Sequence, residues 1–350
     1  MDIVKLELND KNLLLLEFFF KKQFKGNYNY GSSKHFYWKI ILNKTMSGII
    51  NSIIINSELV AVTSITPKTL FFLNHKMSVA EIGDTYTAPK YRGRGGFSNL
   101  VNASRAQTEK LAIKLLFGTP NHLSLPIYKK LCGFKESSIV KPYSFSYLLE
   151  IKSYLKKGVW SFYLNLIYKK IVLCHHSVLR LNVMFYKKYD VELSEVIPND
   201  FNSFWNKAYK EWDFIFSRDK DMLFWRFCLN PEKYYFIITR QNKKIIGYMV
   251  YRLIDEKSFS RLVIADYLFL NNHKSALNIS LKKIREICFE KKISKISVWT
   301  DINSFFVPIL QKNGFLVKKR IPFIYYKNTF SDYLNSIKKI HFTISDTDNV

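Results

Sequence analysis

The stretch Glu81-Ile82-Gly83-Asp84-Thr85-Tyr86-Thr87-Ala88-Pro89-Lys90-Tyr91-Arg92-Gly93-Arg94-Gly95-Gly96-Phe97 decides how the chain is read. A β-branched and aromatic run meets Pro89, then three glycines set between and after two arginines, and a helical pattern opens at Ser98-Asn99-Leu100-Val101. That order predicts a strand, a cationic glycine loop and a helix N-terminus. Gly93, Gly95 and Gly96 can adopt backbone angles closed to other residues, so the loop can turn several N–H groups toward one anion. The positive end of the following helix adds to that field.

Working outward, Asp10 is expected to cap a helix over 11–24 that carries Leu13, Leu14, Leu16, Phe18 and Phe20. Asn27 to Ser33 reads as a turn region. Residues 49–55 and 58–65 read as a hairpin about Asn56-Ser57, with Pro67 closing its second strand. Two further strands, 69–73 and 78–87, lead into the glycine loop. Beyond it come a helix over 99–114, a strand over 115–117, and a short helix from Pro126 to Leu131 stopped near Gly133. These elements describe one α/β domain with a mixed sheet.

The second half repeats the first. Phe224-Trp225-Arg226, followed by Leu229-Asn230, matches Tyr37-Trp38-Lys39, followed by Leu42-Asn43, at the same internal spacing, 187 residues apart. Lys244 to Val250 parallels the strand from Glu58, and Asn313-Gly314-Phe315 parallels Gly133-Phe134. Three matches in one order predict a duplicated α/β domain. The copies differ at the loop: after the strand 262–270 the second half reads Asn271-Asn272-His273-Lys274-Ser275-Ala276, without glycine. Only the first half is expected to bind a phosphate ligand. The division reads 1–150 for the first domain, 151–190 for a helical connector and 191–350 for the degenerate second domain.

Composition sets outer limits. A chain of 350 residues suggests about two domains of ~150 residues, and 48% hydrophobic with 16% aromatic content can fill their cores. The formal charge of +26 favours anionic partners, whether nucleic acid, lipid headgroups or phosphorylated small molecules. Cys132, Cys174, Cys228 and Cys288 lie far apart and show no zinc spacing, so they read as reduced thiols of a cytoplasmic protein with no metal site. No secretory signal is read, since Asp2, Glu7 and Asp10 stand where positive charge is expected. In the connector, Trp160, Phe162, Tyr163, Leu166 and Ile167 interleave with Lys152, Lys156, Lys157, Lys169, Lys170, Arg180, Lys187 and Lys188, opposed by Asp190. It reads either as a helix pair packing the domains together or as a basic aromatic helix on anionic lipid at the inner face of the membrane.

Tyr91-Arg92-Gly93-Arg94-Gly95-Gly96 between strand and helix, then Asn121, Ser124, Tyr128 and Gly133-Phe134, resembles the GNAT (Gcn5-related N-acetyltransferase) superfamily. More narrowly, Asp84-Thr85, Trp38-Lys39, Trp225-Arg226 and the tail Thr343-Ile344-Ser345-Asp346-Thr347-Asp348 resemble tandem-domain GNAT proteins of bacterial polysaccharide gene clusters. Phe97 departs from the Gly or Ala of the general motif, and Gly133 falls one residue later after Tyr128 than is commonest. The resemblance implies two GNAT-like domains, the second lacking the pyrophosphate loop, and acetyl-coenzyme A or another acyl-CoA as co-substrate. Arg92, Gly93, Arg94, Gly95, Gly96 and Phe97 would form the pyrophosphate loop. Thr85 and the backbone of Tyr86 and Thr87 would meet the acetyl and pantetheine groups, and Asn121 would line the pantetheine arm.

Tyr128 is then expected to protonate the departing thiolate. A base must take the amine's proton; Glu81, eleven residues before Arg92, stands at the spacing used by histone acetyltransferases of the superfamily. Asp84 is shared with the tandem group. Strand alternation puts it on the opposite face from Glu81 unless a bulge intervenes, which suits a structural or orienting role. The implied function is acyl-CoA-dependent N-acyltransfer onto an amine, an amino sugar or lipid-linked sugar precursor, with the second domain shaping the acceptor side. The alternatives are aminoacyl transfer from tRNA, as in enzymes of peptidoglycan cross-bridges, which lack this loop, and a non-catalytic CoA-binding or membrane-associated protein. The loop argues against nucleic acid as partner, while the charge suits it.

Overall fold

The structure, a computed structural model, describes residues 2–24, 31–152, 155, 159–184, 188–256, 259–327 and 337–348. Most of the turn read over Asn27–Ser33, and the side chains of Lys156, Lys157, Arg180 and Lys187 in the connector, lie outside the described residues.

Two mixed sheets form the frame. The first comprises β1 (Ile3–Lys5), β2 (Ile49–Ile55), β3 (Glu58–Phe72), β4 (His75–Thr87), β5 (Leu115–Gly118) and β6 (Lys135–Glu136). The second comprises β7 (Pro142–Leu148), β8 (Asp190–Ser194), β10 (Tyr235–Gln241), β11 (Lys244–Glu256), β12 (Phe259–Phe269), β13 (Lys295–Asp301) and β14 (Leu316–Arg320), while β9 (Phe214–Phe216), β15 (Ile324–Lys327) and β16 (Ile340–His341) return to the first. Helices α1 (Asp10–Gln23), α2 (Ser33–Phe36), α3 (Gly96–Lys110), α4 (Leu125–Leu131), α5 (Val159–Met184), α6 (Phe201–Ala208), α7 (Lys220–Leu223), α8 (Lys274–Glu290) and α9 (Phe306–Lys312) accompany them.

The sheets do not divide at residue 150. β7 pairs with β13 and β14 of the second sheet, and β15 inserts between β5 and β6 of the first. Each half thus lends a strand to the other's sheet, which ties the two cores together through backbone hydrogen bonds.

Three local expectations change. Asn9 caps α1, accepting from the Asn12 N–H, because its side chain stands one residue outside the first helical position, where an N-cap must be. α3 starts at Gly96 and ends at Lys110, earlier at both ends than the apolar pattern suggests. Pro67 does not close a strand: β3 runs through it to Phe72, with Pro67 opposite Ala80 of β4. On its other side β2 stops pairing at Ile65 and β9 begins only at Leu70, so the missing N–H costs no ladder bond.

The duplication is visible where the halves meet. Ser32 and Asp219 each cap a short helix, accepting from His35 N–H and Met222 N–H. Each helix runs on into a π-helical turn, Tyr37–Ile41 and Phe224–Cys228. Asn43 and Asn230 close these turns by the same bonds, donating to Lys39 O and Arg226 O. Trp38 and Trp225 stack at 5.3 Å between ring centroids, and each indole N–H donates to the other's backbone carbonyl, at 2.6 and 3.0 Å. That is a local two-fold contact, with both indoles buried and both donors satisfied. Trp38→Ala should lower unfolding stability by about 3–5 kcal/mol, read from urea denaturation, and Trp225→Ala should cost a similar amount.

Candidate active site

β4 and β5 run parallel from Val79–Leu115 to Glu81–Phe117, and there their pairing ends. β4 continues on β3 as far as Thr87, whereas β5 ends at Gly118. The strands splay, and the edge of β4 beyond Glu81 leaves alternate N–H groups facing a wedge. The cavity in that wedge has a volume of about 270 Å³. Glu81 to Tyr86, Gly118 to Asn121, Ser124 and Tyr128 line it, together with Phe20, Phe24, Lys39 and Asp348.

A bulge shapes β4 at this point. Val62 faces Tyr86 and Ser64 faces Gly83, so Asp84 and Thr85 oppose Thr63 alone, and Asp84 takes φ +51°. The bulge cancels the alternation that would separate Glu81 from Asp84. Lys39 Nζ lies 2.6 Å from Asp84 and 2.8 Å from Asp348; Lys68 Nζ lies 2.9 Å from Asp348 and 3.0 Å from Glu81. Arg226 of the second half reaches Asp348 at 3.4 Å. Both carboxylates therefore belong to one buried cluster of three cations and three anions, rather than to opposite faces.

Burial pushes the Glu81 carboxyl up to about 7, helped by the Asp348 charge and opposed by Lys68 and Lys39. Burial also works against ionised Asp348, but Lys39, Lys68 and Arg226 hold it well below the usual carboxylate range. Burial penalises the Lys39 ammonium too, yet Asp348 and Asp84 hold it above its ordinary value. Glu81 is the member of the cluster poised to exchange a proton near neutral pH.

Tyr128, on α4, is buried with its ring edge-on to Phe97 and Phe134, at 5.1 Å from each. Burial raises its phenol, which keeps the proton on oxygen. Its hydroxyl meets Thr85 Oγ1 at 2.8 Å, and Thr85 Oγ1 meets Thr63 Oγ1 at 2.7 Å, a chain of three hydroxyls inside the wedge. The Phe97 ring packs in the cluster around Tyr128. Asn121 lines the cavity, and its Oδ1 accepts from Leu123 N–H and Ser124 N–H, which orders the turn into α4.

The glycine loop stands at the end of β4. Gly93 and Gly95 have φ of +75° and +77°, and Gly95 is the N-cap of α3 with no side chain over the helix end. The N–H groups of that first turn have no intrahelical acceptor. Around Gly93 there is open space within 4 Å. Arg92 is fixed by Nε to Thr87 O at 3.1 Å and by its outer nitrogen to Tyr86 OH at 3.1 Å. Arg94 lies 5.8 Å from the Tyr91 ring centroid. An uncapped helix end, two left-handed glycines and two guanidinium groups fit a pyrophosphate. Among the described residues, no group of three His, Cys, Asp or Glu side chains is placed to hold a metal ion.

The second wedge is filled. β12 and β13 pair from Arg261–Lys295 to Ile264–Val298, but beyond them Tyr267 packs on Phe306 at 4.9 Å and on His341 at 5.6 Å. α8 follows a turn at Asn271–His273 in which no residue has positive φ.

Sequence reasoning gathered Glu81, Asp84, Thr85, Tyr86, Asn121 and Tyr128, all of which line the cavity, and set the loop from Arg92 to Gly96 beside them. It did not assign Lys39, Lys68, Arg226 or Asp348 to the site. The Trp38-Lys39, Trp225-Arg226 and tail matches were a signal for three of these; Lys68 carried none.

Comparison with known proteins agrees with this geometry. Residues 19–135 match the family model described as an acetyltransferase (GNAT) domain. No curated protein matches the sequence. Among solved structures, a GCN5-related N-acetyltransferase from Anabaena variabilis is similar at 13% identity and a TM-score of 0.63, over 93% of this chain and 72% of that one. Saccharomyces cerevisiae N-myristoyltransferase with bound myristoyl-CoA is similar at 12% identity and 0.63, over 93% and 78%. A tandem GNAT protein from the clavulanic acid biosynthesis pathway is similar at 10% identity and 0.58, over 93% and 98%. The chain thus has the fold of two GNAT domains in tandem, and residues 19–135 carry an acetyltransferase (GNAT) domain.

Proposed function

We propose that this protein is an acyl-CoA-dependent N-acyltransferase that transfers an acetyl group to the amine of an amino sugar, free or lipid-linked, of the kind used in cell-surface polysaccharide. The observation that carries this reading is the buried Glu81, with its carboxyl near 7, in the same cavity as the protonated Tyr128 hydroxyl, beside a loop fitted to pyrophosphate. Supply of acyl-CoA and the reduced state of the four cysteines accord with a cytoplasmic enzyme.

On this reading the amine nitrogen attacks the thioester carbonyl carbon, and Glu81 takes the proton the nitrogen sheds. Backbone N–H groups along the β4 edge beyond Glu81 face the oxyanion of the tetrahedral intermediate. As the carbon–sulfur bond breaks, the electron pair stays on sulfur and Tyr128 delivers its proton there. Thr85 and Thr63 can hand a proton back to the phenol. Most of the rate enhancement comes from holding amine and thioester together. The aromatic wall of Phe20, Phe24 and Tyr86 offers a surface for the apolar face of a sugar ring.

Calorimetry with acetyl-CoA, followed by assay against a panel of amino sugars, tests the proposal; a folded protein that binds no CoA would sink it. Gly95→Asp forces a side chain into a left-handed position and a negative charge toward the phosphates, and should weaken CoA binding at least about tenfold. Glu81→Gln should leave CoA affinity unchanged and lower kcat by about 10²–10⁴.

The pH profile gives a further check. As pH falls below about 7 the Glu81 carboxyl gains a proton and kcat/KM should fall; Glu81→Gln should abolish that limb. Asp348→Asn removes a charge that raises Glu81, so the limb should move to lower pH. The same change leaves buried cations short of a partner and should cost about 3–5 kcal/mol in denaturant melts. A limb that stayed in place would show that Asp348 does not act on Glu81.

A further inference from the structure

α5 spans 26 residues without one Asp or Glu. One side of it is accounted for. Asn165 is buried and accepts from the N–H groups of Ile151 and Lys152; Tyr168 OH donates to Leu148 O; Val172 is buried; His176 lies 4.9 Å from the Phe289 ring of α8. The other side is apolar and open: Trp160 is 81% exposed, Phe162 65%, Ile171 59% and Ile167 55%. Among the described residues nothing covers this face.

We propose that the outer face of α5 is a docking surface for an anionic lipid bilayer, on which the helix lies in the plane of the headgroups. The occupant follows from width and charge. Trp160, Leu164, Ile167, Ile171, Cys174 and Val178 repeat at four-three spacing and alone would suit a second helix. Phe162, Leu166 and Leu173 are also exposed, however, and carry the apolar surface well round the helix from that seam. A lipid interface accepts so wide a face. A second copy would bring two helices without acidic residues together, so that Lys170 and the basic residues around it would meet like charge.

The chain as a whole carries +26, and along the sequence lysines flank the apolar residues of the connector and interrupt them at Lys169-Lys170. An indole and a phenol, Trp160 and Tyr163, stand near the start of the helix, in keeping with residues that settle at a membrane interface. The helix lies on the surface rather than across it: no helix among the described residues is long and apolar enough to span a bilayer.

Flotation of the full-length protein with vesicles containing phosphatidylglycerol, compared with vesicles of phosphatidylcholine alone, tests the inference. The protein should float with the anionic vesicles, less so as salt is raised, and hardly with the neutral ones. Ile167→Glu combined with Ile171→Glu should reduce the bound fraction at least about tenfold while thermal unfolding stays unchanged, since both side chains point to solvent. The inference falls if wild-type protein ignores anionic vesicles, or if the double variant floats as well as wild type. It falls equally if light scattering shows a dimer that the double variant dissolves without any vesicle binding, which would make the face an interface between copies.

Discussion

Six charged side chains from widely separated parts of the chain meet out of water between the two halves, and the rest of the site depends on their balance. Lys39 follows α2, Lys68 and Glu81 face each other from β3 and β4, Asp84 sits in the bulge, Arg226 belongs to the second half, and Asp348 comes from the tail. Any one of these charges alone would be too costly to bury. Three of each sign, held at 2.6 to 3.4 Å, balance when Glu81 is ionised. Asp348 is its hub, since it meets all three cations.

The tail does the same for the second half. Asp346 holds Arg218 through paired contacts at 2.8 Å, and Asp266 meets the same guanidinium at 3.1 Å. Thr343 and Asp346 form a reciprocal cap that fixes the turn between them. Two carboxylates, two residues apart, thereby reach two different buried cation groups, and the C-terminal turn becomes part of both cores. With β7 and β15 exchanged between the sheets, the clusters around Phe117 and Phe145 draw on residues of both halves.

What the sequence made legible was local or repetitive. The glycine loop, the strand before it and the helix after it are contiguous, and their backbone requirements can be read from residue types. The duplication was legible because Trp38 and Trp225 keep one spacing with the asparagines that close their turns. The bulge at Asp84 was not: nothing in Gly83-Asp84-Thr85 says that two residues will oppose Thr63 alone, and alternation by itself separates the two carboxylates that the fold unites. Lys68 and Asp348, 280 residues apart, are linked only through the finished tertiary structure. Strand exchange was hidden for the same reason, since β7 lies in sequence within the half that precedes it.

The asymmetry of the halves follows from where the duplicated turn places its cation. In the first copy Lys39 turns into the wedge and is held by Asp84 beside an open cavity. In the second, Arg226 packs 4.5 Å from the Trp225 ring centroid and reaches across to Asp348. Between the second pair of splayed strands Tyr267, Phe306 and His341 pack ring against ring. Burial holds His341 well below the ordinary imidazole range, with Arg218 acting in the same direction, so this imidazole stays neutral. The second half thus keeps the GNAT frame but turns it to a different use. It supplies the cation, the stacked indole and the strand that hold Glu81 in a low-dielectric site, where a carboxyl can titrate near 7. Glu81 is poised for proton transfer because the partner fold closes over it.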